Sequence, residues 1–383
     1  MPSTVGTVTT AGATYDTTQR KTFYANGYYW SFYSDGTNLV YRTSVDGETG
    51  SDATIVRACA DGARFDVGYF PDYSLSYVYY AYAWGGDLIF RRGTISGNTI
   101  TWSSEVTVNA GNVWDHPSIG VCTNGRLIIG ANLSSGGKTY FYVWTNANND
   151  GSGSWSYTNL TLSEGTDFYR SSILPLTGGK AYALFCKASP MLGNLWNGSS
   201  WATNENVTSV GQVLFGATRE DDDVHVAYYS GAVAYRKAYR KRTYGASPAW
   251  SDEEEIYTAD DIYIGITICV DLGTGDLYAV WGQTNTVYYS KKPSGGVWGA
   301  RTVLAADETK LLTASVNTFK RVWNDVVGVI WTKGAYPTWY VRFDYLLTVI
   351  PPVVVKKPIM KIDKGPHPRS RLQFKPSMKN VFG

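Results

Sequence analysis

Five tryptophans constrain this chain more than any other feature. Trp102, Trp155, Trp201, Trp250 and Trp298 each follow a turn-forming stretch and precede a short apolar run, at steps of 53, 46, 49 and 48 residues. A period near fifty, sustained over most of a chain, marks a repeated supersecondary unit. A second series keeps step with it: residues 28–34, 77–84, 126–132, 180–186, 224–230, 276–282 and 326–332, all rich in Tyr, Trp, Val and Ala. Most are followed by a Gly, Asn or Ser turn and a further strand-like run. The fourth unit is the weakest, because NLWNGSS is short. Alternation and turn residues of this kind specify antiparallel strands.

Each unit reads as strands A, B and C, a turn, and strand D. Four short strands per unit of about fifty residues describe a propeller blade. The expected fold class is therefore all-β: one β-propeller over residues 1–349, with about seven four-stranded blades and six as the alternative count. The last unit has no evident strand D, whereas the N-terminal STVGTVTT has strand character and no blade of its own. It is expected to close the ring as strand D of blade seven, hiding the free edges of the first and last blades. Two β-sandwiches would not share one Trp period, and a solenoid would need shorter repeats.

Composition agrees. Aromatics make up 15% of the 383 residues and charged residues only 17%, with 30 Tyr and 40 Gly. Disordered chains are charged and poor in aromatics. Coiled coils are rich in Ala, Glu, Lys and Leu. Helical bundles disfavour so much Gly and so many strand-formers. Cys59, Cys122, Cys186 and Cys269 lie at least 60 residues apart, without zinc-ligand spacing, and are expected as buried free thiols. No cofactor or metal is expected. The first twenty residues hold no apolar core of a secretion signal, and no run is long and apolar enough for a membrane helix.

The blades resemble the sialidase-like superfamily of propellers, whose Asp-box repeats place S-x-D-G-x-T after a strand pair. Ser44, Asp46, Gly47 and Thr49 in YRTSVDGETGS come closest. The family pattern has one more residue between Asp and Gly, and a Trp where this chain has Gly50. The other blades keep the Trp and lack the Asp. The resemblance implies a propeller fold, and in that family the box is a structural turn remote from the active site. True sialidases also carry Arg-Ile-Pro, three arginines that grip a carboxylate and a Tyr–Glu pair. No Arg-Ile-Pro occurs here.

In a propeller the residues opening each strand A face the mouth of the central funnel. Here they are Arg64, Asp66, Asp115, His116, Tyr169, Arg170, Asp260, Asp261 and Tyr263, which form the expected ligand-binding set. Hydrolysis of a glycoside needs two carboxylates flanking the bond. Asp66 and Asp115 could supply them, with Arg170 as a carboxylate clamp. The simpler expectation is that the Asp and His residues are turn-formers. The acidic run Glu220–Asp223 is expected to be a solvated hairpin turn, and the basic RKAYRKR (236–242) an outer strand whose charge discourages edge pairing; direct nucleic-acid binding is not expected.

Residues 350–383 carry eight Lys and Arg against Asp363, although the whole chain has a net charge of only +2. Six prolines keep this stretch extended. Apolar residues are spaced between them, as in an arm lying along a neighbour. The expected docking residues are Lys356, Lys357, Ile359, Met360, Lys361, Arg369, Arg371, Leu372, Phe374 and Phe382. An exposed β-structure, with no export signal and such an arm, suggests a non-enzymatic structural or adhesive protein of a virus particle. A bacteriophage tail or capsid-associated role would place it in the virion. It would be docked on other virion proteins and contact host-surface glycans. The alternative is a sialidase-like glycan hydrolase or a secreted glycan-binding lectin.

Overall fold

The computed structural model describes residues 2–347 apart from 136–137, 161–169, 187–189, 210–213, 231–235, 246–247 and 259–264. They form seven antiparallel sheets in chain order, each a blade of a β-propeller. The innermost strands A are Thr22–Ala25, Phe65–Tyr69, Val113–Val121, Arg170–Pro175, Phe215–Glu220, Ile266–Val270 and Asn317–Thr318. All seven Tyr/Val-rich runs of the sequence are strands B, for example Tyr28–Ser34 and Val326–Ala335. The weak fourth unit has a regular strand C, Met191–Trp196. Blades two and five each carry an additional short strand, Thr99–Trp102 and Ala249–Trp250.

Ring closure follows the expectation. Ser3–Val8 pairs antiparallel with Thr338–Leu347 and is strand D of blade seven. The spaced tryptophans have a physical reason. Trp155 of blade three packs edge-on against Phe90 of blade two. Trp250 of blade five does so on Tyr182 of blade four, and Trp298 of blade six on Tyr239 of blade five. Each ring seals the seam to the preceding blade, so the period of the sequence is the period of the seams.

All four cysteines are buried, and none forms a disulfide among the described residues. The acidic run differs from expectation. Asp222 is buried, accepting from the Thr177 backbone and hydroxyl and pairing with Lys180 at 2.6 Å. Within the basic strand, Arg242 is buried and forks onto Glu205 of blade four at 2.7 and 2.6 Å. These charges join neighbouring blades rather than face solvent. Among the described residues no helix is long and apolar enough to cross a membrane.

Strands A of blades five and six pack backbone to backbone at Gly216. A Cβ there would meet Thr267 Cα at 2.4 Å and Ile268 N at 2.8 Å. Backbone cannot swing aside as a side chain can. Gly216→Ala is therefore expected to lower unfolding free energy by about 3 kcal/mol, read as a fall in the urea midpoint.

Candidate functional site

The connection from the closing strand to blade one, residues 9–21, enters the axis of the ring. Ala13–Lys21 are all buried apart from half-buried Tyr15. Thr14 Oγ1 donates to Ser315 O, and Asn317 Nδ2 donates to Thr14 O, on blade seven. Thr17 Oγ1 donates to Phe215 O on blade five. Gln19 Nε2 donates to Ala63 O and Pro117 O on blades two and three. Arg20 reaches Ile119 O and Ile173 O on blades three and four. Ser34 N of blade one donates to Ala13 O. On blade six, a Cβ at Gly265 would sit 2.5 Å from Thr17 Cγ2. One short polar segment thus touches all seven blades, satisfying inward-facing backbone groups that would otherwise need water.

Two ion pairs anchor it, and both engage expected funnel residues. Asp66 is wholly buried; it accepts from Arg20 N at 2.5 Å, from Arg20 Nη2 at 2.6 Å and from Ile119 N at 2.8 Å. Asp16, also wholly buried and at φ 88°, lies 2.8 Å from Arg170 Nε and 3.4 Å from His116 Nδ1. Burial alone would raise the Asp16 carboxyl. Arg170, His116 and the Thr18 hydroxyl instead hold it well below the usual carboxylate range.

Asp66, expected as one of a carboxylate pair with Asp115, is wholly buried and bound to Arg20. Arg170 is not a free clamp, because Asp16 occupies it. Of the described funnel residues, Arg64, Asp115 and buried His116 come together in a cleft with Gly12, Tyr15 and Asp61 at the mouth formed by the D–A loops. Tyr169, Asp260, Asp261 and Tyr263 lie outside the described residues, as do the docking residues of 350–383.

The opposite mouth, ringed by A–B turns, was not anticipated. It holds a cavity of about 90 Å³. Aromatic and apolar walls come from Phe23, Tyr69, Phe70, Trp323, Leu174 and Leu272, and cationic groups from Arg20, Arg219, Lys320 and Arg321. Asp72 bridges Arg219 and Arg321, the latter at 2.9 Å, and Arg321 lies over the Trp323 ring at 4.3 Å. Two guanidiniums against one carboxylate leave an unbalanced positive charge. Burial, with Arg20 nearby, pushes the Lys320 ammonium down to about 8. Its Nζ donates to Thr267 Oγ1 at 3.2 Å. Arg20, of the axial segment, lines this cavity.

The Asp-box-like turn lies between strands C and D of blade one, on this same face. Ser44 Oγ, Glu48 N and Thr49 N all donate to Asp46 Oδ1 at 2.8 Å. Backbone bonds from Thr49 and Glu48 hold its carboxyl down to about 2. It is a self-contained turn.

No protein-family model and no curated protein matches the chain. Its similarity is to solved structures. The K499G mutant of NanB sialidase from Streptococcus pneumoniae is 8% identical at TM-score 0.49, over 90% of this chain and 94% of that one. Polysaccharide lyase Uly1 is 8% identical at TM-score 0.49, over 87% and 90%. A prolyl endopeptidase structure is 13% identical at TM-score 0.48, over 89% of this chain and 52% of that one. The resemblance to sialidase-like propellers is one of architecture. Fold alone does not assign chemistry.

Proposed function

We propose that this protein is a non-hydrolytic glycan-binding propeller, and that its A–B mouth receives the carboxylate of an acidic sugar. The observation that carries the reading is the pair Arg219 and Arg321, sharing the single carboxylate of Asp72 beside an aromatic-walled cavity. A ligand carboxylate would balance the excess charge through charge-assisted bonds. At about 90 Å³ the cavity admits such a group but not a whole sugar, whose ring would rest on the rim near Trp323. The non-hydrolytic half rests on the axis. Asp66 and Arg170, which a funnel hydrolase would need exposed, are held by Arg20 and Asp16. The reading takes the lectin branch of the sequence alternatives and draws on the propeller alone.

The test is a glycan array with the full chain and with Arg321→Ala. Loss of one charged hydrogen bond to a carboxylate costs about 1.5–3 kcal/mol, so affinity for carboxylated sugars is expected to fall roughly ten- to a hundredfold. Unchanged binding would overturn the assignment of the mouth. Release of new reducing ends from any bound glycan would overturn the non-hydrolytic half.

A further inference from the structure

A second cleft lies on the same face, at the seam of blades five and six. It encloses about 660 Å³ between Glu220, His225 and Tyr239 on blade five and the Lys292–Trp298 turn on blade six. That is within the size range of small-molecule sites. Its wall carries a buried imidazole, only 2% exposed, whose Nε2 has no hydrogen-bond partner. The Trp298 indole N–H has none either.

The tautomer of His225 follows from its neighbours. Nδ1 is 2.7 Å from the Tyr239 hydroxyl, and Nε2 is 3.7 Å from Glu220 Oε2. Burial, with Lys241 nearby, keeps the ring neutral by pushing its pKa down to about 3. Burial likewise keeps the Tyr239 hydroxyl protonated. A lone pair on Nε2 would face the Glu220 carboxylate, so the proton sits on Nε2 and Nδ1 accepts from Tyr239. The cleft therefore holds an N–H donor and a carboxylate acceptor, side by side and too far apart to bond each other.

Both cations that line the cleft are paired, while the carboxylate of Glu255 also lines it. Lys292 pairs with Glu254 at 2.6 Å and also donates to Gly296 O. Lys241 pairs with Asp223 at 2.7 Å. Unlike the axial mouth, this cleft offers a ligand no unbalanced cation.

We propose that the cleft between blades five and six binds an uncharged sugar unit, one hydroxyl of which bridges His225 Nε2 and Glu220 while the ring lies against Trp298. The hydroxyl accepts from the imidazole and donates to the carboxylate, a pairing that neither a carboxylate nor an ammonium ligand can complete. Arg219 and Glu220 are consecutive in strand A of blade five, and they line the axial mouth and the seam cleft respectively. The A–B turn of blade six likewise gives Leu272 to one and Gly275 to the other. The two sites adjoin, and one oligosaccharide could place an acidic unit in the first and a neutral unit in the second. The inference rests on the glycan reading for its class of ligand, but not on the arginine pair.

The experiment uses the full chain with two panels, neutral mono- to tetrasaccharides and their uronic- or sialic-acid counterparts, read by saturation-transfer NMR and titration. Trp298→Ala is expected to weaken neutral sugars at least tenfold and to leave carboxylated monosaccharides unchanged. Glu220→Ala, at the half-exposed end of strand A, should reproduce the effect and stands in if the tryptophan variant misfolds. Neutral sugars that bind equally to both variants, or a panel in which no neutral sugar binds, would overturn the cleft. In the second case, binding of carboxylated sugars that is lost in Arg321→Ala would leave the mouth reading intact. Neutral binding that needs Trp298, with no carboxylated binding, would retain the cleft and remove the mouth.

Discussion

A chain lacking residues 1–21 is expected to give no cooperatively folded propeller. The deletion removes strand D of blade seven, exposing Thr338–Leu347 as an open sheet edge. It also empties the axis. Asp66 would lose Arg20, and Arg170 and His116 would lose Asp16, each at a site that is largely or wholly buried. Removing one partner of a buried pair costs about 3–5 kcal/mol, and native stability is only about 5–15 kcal/mol in total. Two such losses together with the closing strand exceed that margin. Near-UV circular dichroism should lose its single sharp melt, and trypsin should digest the remainder throughout. A truncated chain with an unchanged melting temperature would refute the account. Adding a synthetic 1–21 peptide in excess should restore part of the transition.

Asp16→Asn is the second large effect, and it carries a pH signature. At neutral pH the substitution leaves Arg170 buried without its counter-charge, at a cost of about 3–5 kcal/mol. The carboxyl titrates lower in the folded chain than in the unfolded one. Its contribution is therefore complete above the unfolded value, near 4, and is lost as pH falls toward the folded value. The stability gap between wild type and variant should thus be widest near pH 7 and narrow steadily below about pH 4. Urea titrations at a series of pH values measure it. A gap that stays constant down to pH 3 would mean that the carboxylate charge is not what holds the segment.

The fold was more legible than the site because its signals are local. Strands B alternate over seven residues or so, and Trp155, Trp250 and Trp298 recur because each seals one seam. The axial segment left no such trace. TTAGATYDTTQRK has neither alternation nor helical period, because its side chains answer to several different blades rather than to one face. Its one local hint is Asp16, a residue type tolerant of the left-handed backbone it adopts. Asp66 and Arg170 were placed correctly at the openings of their strands, but their partners lie 46 and 154 positions earlier in the chain. The mouth cavity was harder still. Asp72 meets Arg219 and Arg321 across 147 and 249 residues, separations at which spacing says nothing. The arginines could have been noticed only by gathering the A–B turns of all blades onto one surface.

The axial segment also sets an order of events during synthesis. Thr14 bonds to Thr332, 318 residues later, and the strand before it pairs only with Thr338–Leu347. The axial segment thus finds some partners early, on blades one to three, while the strand before it waits for blade seven. Blades one to six can stack as they emerge, but the growing arc must carry the closing strand unpaired until blade seven is complete. Contacts of such long range fold slowly. Until then the arc has an open sheet edge at each end, and a neighbouring nascent copy is the natural competitor for the seat of strand D. Crowded expression should therefore favour exchanged dimers and higher rings, and slower translation or dilution should favour the closed monomer.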